Sequence, residues 1–353
     1  MDNQLNPKQE ASRKTTSVKR LKELAQHEDK YVRKKIAKNI KTPLALLKKL
    51  AKDKCMTVRE SVANNKNTPA SLLEELADDK DDYVRESVAG HPNTPLTILE
   101  KLAVDKKWTV RTHVIRNENT SVSLLEKIAD DDEWEVRRNL SVNESTPISI
   151  LNKLVEDSNK HVRQGLATNT NTPVNLLEKL VDDEDDYVRS CLAGNPNTPV
   201  PLLEKLLEEK SCKSNVAANV NTPTLLLKKL AEDEDKNVRL KVAKNLNTDF
   251  NVLEKLAFDN HHKVRESIAE NPNTPAIVLK KIAKDESWWA RRNVAKNTNS
   301  PVLVLEKLAE DEDSRVRESV AENANTPASV LEKFREGKDS KVRESVDGIN
   351  HKK

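Results

Sequence analysis

The chain has 353 residues, with 61 Lys+Arg against 58 Asp+Glu, 34% charged and 36% hydrophobic, a formal net charge of +3, five glycines and 3% aromatic residues. That is too little bulky apolar material for one large compact core, although Leu, Val, Ile and Ala are spread too evenly for disorder. No G-x-G-x-x-G or G-x-x-x-x-G-K-[ST] occurs, no apolar run is long enough to span a bilayer, and Cys55, Cys191 and Cys212 form no C-x-x-C. Gly-rich phosphate loops, membrane spans and zinc or iron–sulfur sites are therefore excluded from the sequence reading, which expects a soluble, cytoplasmic monomer without a metal or cofactor.

In chain order, residues 1–14 read as a basic N-terminal tail, and from Thr15 the sequence becomes periodic. Val32-Arg33, Val58-Arg59, Val84-Arg85, Val110-Arg111, Val136-Arg137, Val162-Arg163 and Val188-Arg189 recur every 26 residues. One step of 24 leads to Cys212-Lys213, and the period of 26 resumes at Val238-Arg239, Val264-Arg265, Ala290-Arg291, Val316-Arg317 and Val342-Arg343. These are 13 repeats of the form N-T-P-x-x-L-L-x-K-L-A-x-D-x-D-x-x-V-R-x-x-V-A-x-N-x. Thr-Pro predicts a helix start, with the Thr hydroxyl as cap and Pro at the first helical position. Leu72, Leu73, Leu76 and Ala77 exemplify the apolar stripe of that first helix. An acidic turn follows, then a second helix with Val, Val and Ala buried. Its end at Asn65, Asn169 or Asn219 reads as a residue that tolerates a left-handed stop. Neither helix can bury its stripe alone, so the repeats must stack. The expected fold is all-α, a right-handed α-solenoid of about 13 two-helix repeats in a single array over residues 15–353.

The N-T-P…L-A-x-D…V-R…V-A-x-N skeleton resembles HEAT-like repeats, and in particular the leucine-rich repeat variant family. The resemblance implies that the turn Asp (Asp53, Asp79, Asp105, Asp131 and their later equivalents) and the Arg of Val-Arg form a hydrogen-bonded ladder, making those arginines structural. Founding members of the family carry a cysteine cluster for iron–sulfur binding. This chain lacks it, so no such cofactor is expected.

The skeleton permits variation at the two residues after Arg, expected on the concave side: Lys34-Lys35, Glu60-Ser61, Glu86-Ser87, Thr112-His113, Arg138-Asn139, Gln164-Gly165 and Ser190-Cys191. They continue as Ser214-Asn215, Leu240-Lys241, Glu266-Ser267, Arg292-Asn293, Glu318-Ser319 and Glu344-Ser345. A fixed frame around a variable pair suggests modular reading of a polymer, by analogy with the one-base-per-repeat code of some RNA-binding repeats. Trp134 and Trp288 stand four residues before Arg138 and Arg292, where an indole shares a helix face with the guanidinium and would stiffen it. Trp108 occupies the same slot. A held guanidinium suits guanine, Glu suits cytosine, and Gln or Asn suits adenine.

Phosphate partners are expected at Lys14, Lys19, Arg20 and Lys38 in the basic first 53 residues, and at Arg116, Lys244 and Lys296 near the ends of second helices. The expected function is that of a sequence-specific double-stranded DNA-binding protein that reads one base pair per repeat. The alternative is a scaffold that binds a protein or extended peptide along the concave groove. The near-neutral charge weighs against a duplex binder. Glu-Ser also has a plain alternative as a solvent-facing helix dipeptide, and the aromatics before Val as packing on the neighbouring repeat. No H-E-x-x-H, nucleophile elbow or carboxylate pair emerges, so an enzyme is not expected.

Overall fold

A computed structural model describes residues 6–337 and 339–350, with the side chains of residues 348–350 left aside. Among the described residues there are 27 helices and no strands. None of the helices is long and apolar enough to cross a membrane. The chain divides into two compact units, Met1–Pro173 and Val174–Lys353. Each is a helical-repeat stack.

One repeat shows why the pattern folds this way. The first helix, Ala70–Leu76, buries Leu72, Leu73 and Leu76, and the second, Asp82–Ala89, buries Val84, Val88 and Ala89. The second helix packs directly on the second helices before and after it, Met56–Ala63 and Trp108–Ile115. Successive second helices thus form the close-packed row of each unit, its inner face, while the first helices are spread along the outer one.

Two local readings are corrected. Thr does not cap the first helix: Pro69 is itself the N-cap, in extended conformation and without a side-chain cap bond. Thr68 is fully buried, and its hydroxyl donates 2.6 Å back to the carbonyl of Val62, an end-of-helix acceptor that would otherwise be orphaned. Thr42, Thr94 and Thr274 do the same for Ile36, Val88 and Ile268.

Nor is the loop Asn a left-handed stop, since no described residue has a positive φ. Asn65 lies buried and donates Nδ2–H to the carbonyls of Ala37 and Asn39 in the preceding repeat, while its Oδ1 accepts the N–H of Asn67. Asn67 in turn donates to Ile40, 27 residues back. The carboxamide has a donor pair and an acceptor, so it joins two loops where a left-handed residue would merely end a helix.

His91 fills the Asn slot in one repeat. Its Nε2 meets the Asn65 carbonyl at 3.0 Å and its Nδ1 accepts the Asn93 N–H at 3.1 Å, which fixes a neutral ring with the proton on Nε2. Burial holds its pKa below the ordinary histidine value, against the opposing pull of the Asn65 carbonyl. The unfolded chain therefore takes up a proton near pH 6.5 while the folded chain resists until lower pH, so stability falls with pH from about 6.5 downward. His91→Asn is expected to remove this slope, read as the change in urea midpoint between neutral pH and pH 5. Equal acid losses in both proteins would contradict the assignment.

The Arg–Asp ladder implied by the resemblance is present. Arg33 donates Nε–H and Nη2–H to Asp53 of the next repeat at 2.6 and 3.0 Å, and Nη1–H to the carbonyls of His27 and Glu28. Arg85–Asp105, Arg111–Asp131, Arg137–Asp157, Arg239–Asp259, Arg265–Asp285 and Arg291–Asp311 repeat the fork. Burial pushes the Asp53 carboxyl upward, but the Arg33 fork and the Cys55 N–H outweigh it and hold the carboxyl below its ordinary range. The step of 24 weakens this row. Cys212 fills the Val slot, fully buried, and Lys213 reaches Asp233 with a single contact of 2.8 Å. Just before it, Arg189 meets Glu209 at only 3.4 Å.

The expected tail is corrected from residue 6 onward; residues 1–5 lie outside the described set. Pro7–Ser12 is a helix with an Asn6/Gln9 capping box, and its Ala11 is fully buried. It packs on Lys30–Lys38 as a second helix would, and Asn39 donates to the carbonyls of Ala11 and Arg13.

Candidate interaction surface on the second helices

Each second helix exposes one stripe, spaced three and then four residues apart. In Asp82–Ala89 it comprises Tyr83, Glu86 with Ser87, and the following Gly90. The variable pairs lie on the second helices, but most do not stand free. Ser61, Thr112, Ser267 and Ser319 are buried, and all four hydroxyls donate to carbonyls of their own helix, those of Thr57, Thr109, Lys263 and Arg315. Ser87 bonds Tyr83 in the same way. These residues are corrected as base readers: a short hydroxyl on a packed helix reaches its own backbone first.

Other members of the pairs bond across to a neighbouring repeat. Glu86 accepts from Thr109 Oγ1 and Glu266 from Ser287 Oγ. Asn139 accepts from Arg116 Nη2 at 2.6 Å, so this candidate phosphate contact is tied to a candidate reader. Asn293 donates to the Glu266 carbonyl, Ser190 donates to the Ser211 carbonyl, and Asn215 donates to the carbonyl and Oγ of Ser190. Gln164 Oε1 lies 2.9 Å from His161 Nδ1, and His113 Nδ1 lies 2.8 Å from the Thr109 carbonyl. Gly165 is a packing residue: a Cβ there would fall 1.8 Å from Ser141 Oγ, so glycine is what lets Trp134–Val142 and Lys160–Thr168 approach.

The long charged members project furthest. Lys35, Arg138 and Lys241 are exposed, and Lys34, Glu60, Glu318 and Ser214 are half-buried. Among the remaining phosphate candidates, Arg20 is engaged by Glu10 and Glu23, and Lys244 by Glu270 at 3.4 Å. Lys14, Lys19, Lys38 and Lys296 are exposed.

The Trp–Arg stacking within one helix is corrected too. Trp134 lies against His161, with ring centroids 4.9 Å apart, and not on Arg138. The guanidinium on Trp288 is that of Arg315, 3.2 Å from its centroid. In both cases the partner is 27 residues on, at the start of the next second helix. An indole at the first position of its helix leans toward that neighbour more readily than up its own helix. Arg292 instead lies 5.3 Å from Trp289, three residues before it. Trp108 has no Arg four residues on and is half-buried. The Asp313–Arg315 fork was not foreseen; its signal is an acid two residues before an arginine.

The inner row of the C-terminal unit has one further property. Lys241 and Lys244 mark one second helix, Glu266 and Glu270 the next, Arg292 and Lys296 the third, and Glu318 and Glu322 the fourth. The sign alternates repeat by repeat.

The leucine rich repeat variant family model matches residues 56–81, one period of the chain. No curated protein matches it. A solved structure described as a leucine-rich repeat variant with a novel repetitive protein structural motif is similar, at 24% identity and a TM-score of 0.46, over 62% of this chain and 87% of that one. The family resemblance read from the N-T-P…V-R…V-A-x-N skeleton is thus met by the family's own model at a complete repeat.

Proposed function

We propose that this repeat scaffold holds an extended polypeptide along the inner row of second helices. The alternation of Lys241/Lys244, Glu266/Glu270, Arg292/Lys296 and Glu318/Glu322 carries the reading. A duplex offers an unbroken line of phosphates, which two of those four helices would repel. A polypeptide can carry both signs in register. Packed helices are spaced about 8–10 Å apart, and an extended chain advances about 3.3 Å per residue, so each repeat spans about three residues of a bound chain. The complementary segment would then place acid and base alternately every third residue. The exposed Lys244–Glu270 contact does not remove these charges from play, because solvent screens a pair so open.

Two selections test this on the intact protein, one from displayed random twelve-residue peptides and one from a randomised duplex pool. The expected result is enrichment of peptides whose acids and bases alternate at that spacing, with only salt-sensitive, sequence-independent retention of duplex. A preferred duplex site of ten or more pairs, with no peptide enriched, would restore the modular base-reading interpretation and overturn this one.

A further inference from the structure

The third of those charged helices, Trp288–Lys296, carries a cluster that folding alone does not require. Trp288 and Trp289 stack with centroids 4.3 Å apart, Arg315 caps Trp288, and the Arg292 guanidinium lies 5.3 Å from the Trp289 ring. Arg315 is fixed by a two-point bond to Asp313 at 2.9 and 2.5 Å, and this bond pulls the Asp313 carboxyl down to about 2. Arg315 and Trp288 thus form the floor of the stack. Trp289 lies on it with 47% of its surface exposed. Arg292 Nε and Glu318 Oε1 are both shielded from solvent and without a hydrogen-bond partner, so both lie beneath the surface that a ligand could touch. They occupy the same slot in adjacent repeats, one a donor and the other an acceptor.

Resting on the polypeptide reading above, we propose that Trp289 and Arg292 form the anchor for one aromatic residue of the bound chain. The ring of that residue packs on the exposed indole, where it also comes within cation–π reach of Arg292. An aliphatic side chain would fill the same space without engaging the cation.

The probes are two blocked twelve-residue peptides with Asp at positions 1 and 7 and Lys at 4 and 10, carrying either Tyr or Ala after each Asp. The Tyr peptide is expected to bind the full-length protein about tenfold tighter. Trp289→Ala should abolish that ratio while the Ala peptide binds as before, and Trp289→Phe should retain most of it. A Tyr-to-Ala ratio unchanged in Trp289→Ala, or a third peptide with Leu in the same places that binds as tightly as the Tyr peptide, would overturn the anchor and leave the polypeptide reading standing. Failure of both peptides to bind the wild-type protein would overturn that reading and the anchor with it.

Discussion

Replacing Asp105 by Ala is expected to lower the stability of the N-terminal unit by about 3–5 kcal/mol, while Arg85→Leu with Asp105→Leu together cost much less. Arg85 donates to Asp105 at 2.6 and 3.0 Å, the Lys107 N–H reaches the same carboxylate at 2.9 Å, and the two side chains are only 7% and 8% exposed. Removing the acid alone strands a guanidinium that remains bonded only to the Asp79 carbonyl. Removing both takes the desolvation cost away with the charges, and leaves only the Asp79 carbonyl and the Lys107 N–H to find other partners. Burial raises the Asp105 carboxyl, but the Arg85 fork and the Lys107 N–H more than reverse this and hold it low. Its contribution is therefore present above about pH 4 and is lost as pH falls through the lowered folded value. Urea unfolding at neutral pH checks the difference; equal midpoints for the single and double variants would show that the pair is not a unit.

The Asn row is expected to be nearly as sensitive. Asn271 donates to the carbonyls of Ala243 and Asn245 at 2.9 and 3.1 Å, accepts the Asn273 N–H at 2.9 Å, and is 3% exposed. Asn271→Ala takes this partner from the buried Ala243 carbonyl and from the Asn273 N–H, while the Asn245 carbonyl keeps the Thr248 N–H, for a loss of about 2 kcal/mol. Asn271→Asp keeps the acceptor but aims a charge at two carbonyls, and is expected to cost more than Ala. Asn271→His keeps one donor and one acceptor, as His91 shows within the same chain, and is expected to cost least. The order His, Ala, Asp in urea midpoint is the signature. An Asp variant as stable as the Asn protein would refute the bonding scheme.

The sequence carried the periodicity strongly enough to place both helices of every repeat, because Leu72, Leu73 and Leu76, or Val84, Val88 and Ala89, mark their buried faces with helical spacing. It did not say where polar atoms go. Thr68 and Asn65 belong to residue types that favour caps and stops, so local preference predicted local roles. Stacking instead gave Asn65 partners 26 and 28 residues back and drew Thr68 inward to the previous helix. The variable pairs lie on the second helices, where the period puts them, yet Ser61 and Thr112 turned out to be buried. Exposure there depends on how closely the next second helix approaches, and no single repeat encodes that. The Trp134 and Trp288 partners were misplaced for the same reason: spacing of four describes one helix, whereas the contacts at His161 and Arg315 lie between helices.

A footprint of an enriched peptide on the isotope-labelled protein tests the inner-row assignment most directly. Amide and side-chain shifts are predicted to concentrate along Lys241, Glu266, Arg292 and Glu318, leaving the outer first helices such as Ala276–Ile282 and Val302–Leu308 unperturbed. Shifts centred on those outer helices, with the four inner positions unchanged, would contradict it.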